Sequence, residues 1–224
     1  MSEKSSSPLQ RRSFLTQVGT GVTVLGAGAA ITIPAARAQS VGSSPWQATK
    51  HPQDEWLDKI PGQHRLVFDT TLAAGMSSAL TYATNYYNAN QSAYGLQNAD
   101  LAVVIIARHI STPFAYNEAM WAKYGDPISN FVDRTKEASK TNTYGRQLTT
   151  LTGRGAHLAV CQLATRAIAG SIARAVSSPA ANVTADDIFN ELSANLMPNS
   201  HLVAAGIVAV GRAQEHGYAL VHGG

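Results

Sequence analysis

The sequence holds one cysteine, Cys161, so no internal disulfide can staple the fold whatever compartment it occupies. Charged residues are also scarce, at 14% of the chain. The formal net charge is +3, and Lys4, Arg11, Arg12 and Arg37 against Glu3 already account for all of it. Beyond residue 38 the chain is near neutral. It lacks the concentrated Lys and Arg that a phosphate backbone or an anionic bilayer selects, so nucleic acid is not an expected partner. No apolar run is long enough for a comfortable membrane span, and the best one, Val18 to Ile33, is rich in glycine.

Motifs for cofactors are missing too. There is no phosphate-binding Walker loop, no Gly-x-Ser-x-Gly elbow and no Cys-x-x-Cys pair. A Gly-Ala-Gly within Val22 to Gly28 follows no strand, which rules out a dinucleotide fingerprint. His51, His64, His157, His201, His216 and His222 show no paired ligand spacing, so neither a dedicated metal site nor a cofactor is expected.

What is present begins with an address. Arg11-Arg12-Ser13-Phe14-Leu15 precedes the weakly hydrophobic Val18 to Ile33 run, Pro34 breaks that run, and Ala36-Arg37-Ala38 places small residues at alternate positions. This pattern is that of a twin-arginine export signal cut before Gln39, which delivers a folded chain to the periplasm or its equivalent. After cleavage no membrane-spanning segment is expected. The remainder is the size of one domain.

Residues 39–63 are rich in Gln, Ser, Pro and Gly, carry Trp46 and Trp56 without a clear period, and read as a tether packed loosely on the domain. Residues 64–224 then alternate strand and helix. Strands are expected at His64 to Thr70, Ala99 to Ala107, His157 to Cys161, His201 to Ala205 and Tyr218 to Val221. The second contains Leu-Ala-Val-Val-Ile-Ile-Ala, the uninterrupted run of a strand covered on both faces. Helices are expected over Met76 to Tyr94, from Thr112-Pro113 to Gly125, over Thr165 to Val176, from a Thr184 N-cap to Pro198, and over Ile207 to Glu215. The polar stretch 126–155 reads as an insertion with some helix. The alternation predicts a three-layer α/β sandwich with a roughly five-stranded, mainly parallel sheet flanked by helices.

Parallel sheets bind ligands outside the carboxyl ends of their strands, which singles out Asp69, Arg108 with His109, Cys161 and Gly206. Cys161 ends the third strand and precedes a helix, whose N-terminal amides favour the thiolate that does chemistry. Read blandly, a lone cysteine beside Val160 and Leu163 is a small buried apolar side chain. Arg108 and His109 emerge at the rim, where they can hold an anion or move a proton, or serve as ordinary surface polarity.

Two segments resemble the DsrE/DsrF-like sulfur-relay family: the strand His157-Leu158-Ala159-Val160-Cys161, and the run from Leu202 through Ala205-Gly206-Ile207 and Gly211-Arg212 to His216-Gly217-Tyr218-Ala219. With the first strand and helix and the second strand, the resemblance spans most of residues 64–222 and leaves 126–155 unmatched. It implies a five-stranded parallel sheet between helices, assembly into homo-oligomers, and a cysteine at the position of Cys161 that in some members carries a persulfide. The chain departs from the family by its export signal, its insertion and its lack of a second cysteine.

Two functions follow as expectations. In the first, Cys161 is the catalytic residue of a sulfur carrier or sulfurtransferase, with Arg108 or His109 binding a small sulfur compound or partner protein. In the second, the domain is a non-catalytic small-ligand-binding or oligomeric scaffold module that asks nothing of Cys161.

Overall fold

The computed structural model describes residues 47–177 and 183–223. The export signal expected at 1–38 and the first part of the tether lie outside them. Five strands, β1 (His64–Thr70), β2 (Leu101–Ala107), β3 (His157–Cys161), β4 (Ser200–Val203) and β5 (Ala219–His222), form one sheet in the order β4-β3-β2-β1-β5. Every neighbouring pair is parallel. Among the described residues seven α-helices accompany them, α1 (Trp56–Lys59) before β1 and the others between strands: α2 (Ala73–Tyr94), α3 (Glu118–Val132), α4 (Gly145–Gly153), α5 (Gln162–Val176), α6 (Ala185–Ala194) and α7 (Gly206–Glu215).

The two faces of the sheet build two separate cores, so the architecture is a three-layer α/β sandwich. Side chains alternate along a strand. Phe68, Val103, Ile105, Leu158 and Val160 point to the thicker layer, where they meet Met76, Leu80 and Tyr87 of α2, Ile128 of α3, Leu148 and Leu151 of α4, and Ile168 and Ile172 of α5. Val67, Val104, Ile106 and Ala159 point the other way, onto Leu57 of α1 and Ala209, Val210 and Ala213 of α7. β2 is buried at every residue, as its uninterrupted apolar run predicts, while the edge strands β4 and β5 carry exposed positions.

Three segments differ from the sequence reading. The helix expected from Thr112 is a 3-10 turn over His109–Ala115, and α3 begins after it, capped by Asn117, whose side chain accepts the Met120 amide at 3.2 Å. Gly125 does not end that helix. The chain kinks at Tyr124, Pro127 follows in the first turn of the renewed helix where its missing N–H costs little, and α3 runs on to Val132.

Within the polar stretch 126–155, α4 sends Leu148 and Leu151 into the main core, so this part of the expected insertion completes the thicker layer. Within the stretch 39–63, α1 buries Leu57 and Ile60, and the Leu57 carbonyl accepts from both Arg65 Nη1 at 2.9 Å and Tyr218 Oη at 2.8 Å. Neither packing partner is visible as a period in the sequence, because each helix shows only a turn or two of pattern.

Candidate functional site

The carboxyl ends of β1, β2 and β3 deliver Asp69, Arg108 and Cys161 to one rim of the sheet. β1 and β2 are in register, with Thr70 opposite Ala107, so Asp69 and Arg108 leave adjacent strands within reach of each other. Arg108 Nε donates to Asp69 Oδ1 at 2.6 Å and Nη2 to Oδ2 at 2.8 Å, a parallel pair of charge-assisted bonds. The Asp69 carboxylate, first through these bonds, pushes the Arg108 pKa up from its already high value, and the nearby Cys161 contributes a smaller part. Beneath the pair, Ser111 Oγ accepts the Arg108 amide at 3.1 Å and lies 2.8 Å from the buried Thr70 hydroxyl, which donates to the Ile106 carbonyl at 2.7 Å. The rim is held by a closed network.

Gly206 opens α7 directly against this network. A Cβ there would fall on the Arg108 side chain, within 2.9 Å of its Cδ, so glycine is what lets the arginine lie flat across to Asp69. His109 follows Arg108 with φ of 56°, a left-handed conformation uncommon outside glycine and Asn, which turns the chain off β2 into the 3-10 turn.

Cys161 is the N-cap of α5. Its Sγ accepts the Ala164 amide at 3.4 Å, and its carbonyl accepts the Thr165 hydroxyl at 3.0 Å, itself bonded by Tyr116 Oη at 3.2 Å. An open depression of about 300 Å³ is lined by Arg108, His109, Cys161, Leu163, Ala164, Ala205, Gly206 and Ile207. Of the residues singled out in the sequence, Arg108, His109, Cys161 and Gly206 line it, while Asp69 is bonded to Arg108 and does not. Cys161 is 7% exposed and forms part of its floor, whereas Leu163 at 64% and Ile207 at 62% stand out as an apolar rim. The site can therefore hold a small group against a sulfur atom that faces a helix N-terminus, with a fixed guanidinium alongside.

A second cluster went unseen in the sequence. Ala159 pairs with His201, which sets His157 and His201 on the same face of adjacent strands. His157 Nδ1 lies 2.9 Å from His201 Nε2, and Trp56 stacks on His201 with centroids 3.9 Å apart and planes inclined by 11°. Burial pulls the His201 pKa down to about 4, with help from His157, and pulls His157 down too. Residues 44 apart in sequence give no local spacing signal; only the strand register brings them together. Among the described residues no group of three or more His, Cys, Asp or Glu is placed to hold a metal ion, and no helix is long and apolar enough to cross a membrane.

No family model and no curated protein matches the chain. A solved structure of a protein of unknown function from Methanobacterium thermoautotrophicum is similar at a TM-score of 0.41 and 16% identity, covering 71% of this chain and 99% of that one.

Proposed function

We propose that the chain is an exported sulfur-handling protein in which Cys161 carries sulfane sulfur, as its resemblance to the DsrE/DsrF-like family implies. The observation that supports this reading best is the setting of Cys161: it caps α5, its Sγ faces the Ala164 amide, and it shares an open depression with Arg108 and His109. As a thiolate, Cys161 is the nucleophile. That thiolate attacks the outer sulfur of thiosulfate, forming the cysteine persulfide as the sulfur–sulfur bond of the donor breaks and sulfite leaves with the bonding pair. Charge and atoms balance without a further oxidant.

In this reading Arg108 is a fixed positive wall, because Asp69 already occupies its Nε and Nη2, and the exposed His109 is the second side chain that meets the anion. The exposed Leu163 and Ile207 rim suits docking by a partner protein or a second copy, which would deliver or collect the sulfur.

The second reading, a non-catalytic binding or scaffold module, is favoured by the low exposure of Cys161, since a carrier must present its sulfur. Intact mass of the native protein after exposure to thiosulfate or polysulfide separates the two. A carrier gains about 32 Da at Cys161 and loses it to dithiothreitol; a module stays unmodified.

A further inference from the structure

At the opposite end of the sheet from Cys161, beside the start of β1, lies a cavity of about 630 Å³ lined by His64, Tyr86, Asn90, Tyr94 and Leu96. Its volume falls within the ~300–1,000 Å³ of small-molecule clefts. We infer that this cleft binds a neutral, polyhydroxylated ligand of the sugar class, with its ring laid on the face of Tyr94 or Tyr86.

The helix supplies the arrangement. Met76, Ala79, Leu80, Ala83 and Tyr87 form the buried stripe of α2, and along its flank a row steps by four residues through the exposed Tyr82, the half-buried Tyr86 and Asn90 and the exposed Tyr94. Residues four apart stand one above another, ~6 Å along the axis, so Tyr86 and Tyr94 flank Asn90. Tyr94 is 75% exposed and Tyr82 48%, a large apolar outlay on a helix whose other face is fully packed. Among the described residues neither Tyr86 nor Tyr94 stacks on another ring, and neither hydroxyl makes a hydrogen bond to the protein. Gly95, left-handed at φ of 67°, ends α2 immediately after Tyr94 and turns the chain so that Leu96 comes back to line the cleft.

The lining chemistry selects the ligand. Among the described residues no Lys, Arg, Asp or Glu lines the cavity, so neither an anion nor a cation finds a counter-charge there. Flat aromatic faces suit the C–H face of a pyranose ring, while phenol hydroxyls, the imidazole of His64 and the free Oδ1 of Asn90 suit the hydroxyls at its edge. Asn90 Nδ2 is already given to the Tyr86 carbonyl at 2.8 Å, which orients that Oδ1.

The test is isothermal titration of the purified protein with neutral tetrasaccharides of N-acetylglucosamine, β-linked glucose and α-linked glucose, and with choline. The expected result is saturable binding of at least one sugar, weakened about tenfold or more in Tyr94→Ala and in Asn90→Ala at unchanged thermal stability. Absence of binding to every sugar, binding that both variants retain, or binding of choline alone would overturn the inference. So would a Tyr94→Ala variant whose main effect is a changed sedimentation coefficient, since that result makes the tyrosine stripe a protein interface.

Discussion

Arg108, just past β2, reaches Asp69 on β1 through two parallel hydrogen bonds of 2.6 and 2.8 Å, tying the carboxyl ends of these neighbouring strands together beside Cys161. The Asp69 side chain is 7% exposed, so the pair is held largely out of water, where losing one partner costs more than the pair itself contributes. Asp69→Asn keeps the shape and removes the charge. It should lower stability by about 1–3 kcal/mol and Tm by roughly 3–9 °C, checked by calorimetry; a change within about 0.5 kcal/mol would show that solvent screens the pair.

Gly206 owes its identity to the same arginine. Gly206→Ala must push Arg108 off its line to Asp69, at a cost of about 1–3 kcal/mol. Double mutation with Asp69→Asn provides the check: the two costs should fall well short of adding, because both changes break one network.

Acid should loosen the α1 face before the rest of the domain. His157 and His201 have folded pKa values below the ordinary histidine range, His201 at about 4, because burial disfavours their charged forms. Above about pH 6.5 they are neutral in both states and their contribution is complete. As pH falls from there toward about 4, the unfolded chain takes up protons that the folded one resists, so stability declines through that window and levels off below it. Trp56, stacked on His201, is a ready reporter by fluorescence. His201→Gln should flatten the decline; an equal slope in that variant would place its origin elsewhere.

Export is testable without structure. Replacing Arg11 and Arg12 with Lys should leave the uncut precursor in the cell interior, whereas the parent chain is expected to appear outside with Gln39 at its N-terminus. Normal export of the double-lysine form would point to the unfolded-chain route.

The sheet was legible because its strands carry their evidence locally. Leu101 to Ala107 is an apolar run that suits only a strand covered on both faces, and the breaks around it fix its ends within a residue or two. The rim residues were legible for a related reason: topology forces Asp69, Arg108 and Cys161 to the ends of parallel strands. What did not show is long-range. The bond of Arg108 to Asp69 depends on strand register, the stacking of Trp56 on His201 on where a four-residue helix docks, and the place of Leu148 in the core on how a polar stretch folds back. The Thr112-Pro113 pair misled because proline suits a 3-10 turn as well as a helix start, and the true cap, Asn117, comes four residues later.

The central claim is that Cys161 reacts from within the folded protein. Its most direct test is the rate of iodoacetamide alkylation of the native protein between pH 5 and 9, set against the same chain in denaturant. The account predicts native alkylation at least as fast as that of the unfolded chain, because the sulfur opens on the depression it shares with Arg108 and His109. A Cys161 that alkylates only on unfolding, at every pH, would contradict it and leave a binding or scaffold protein whose cysteine is part of the packing.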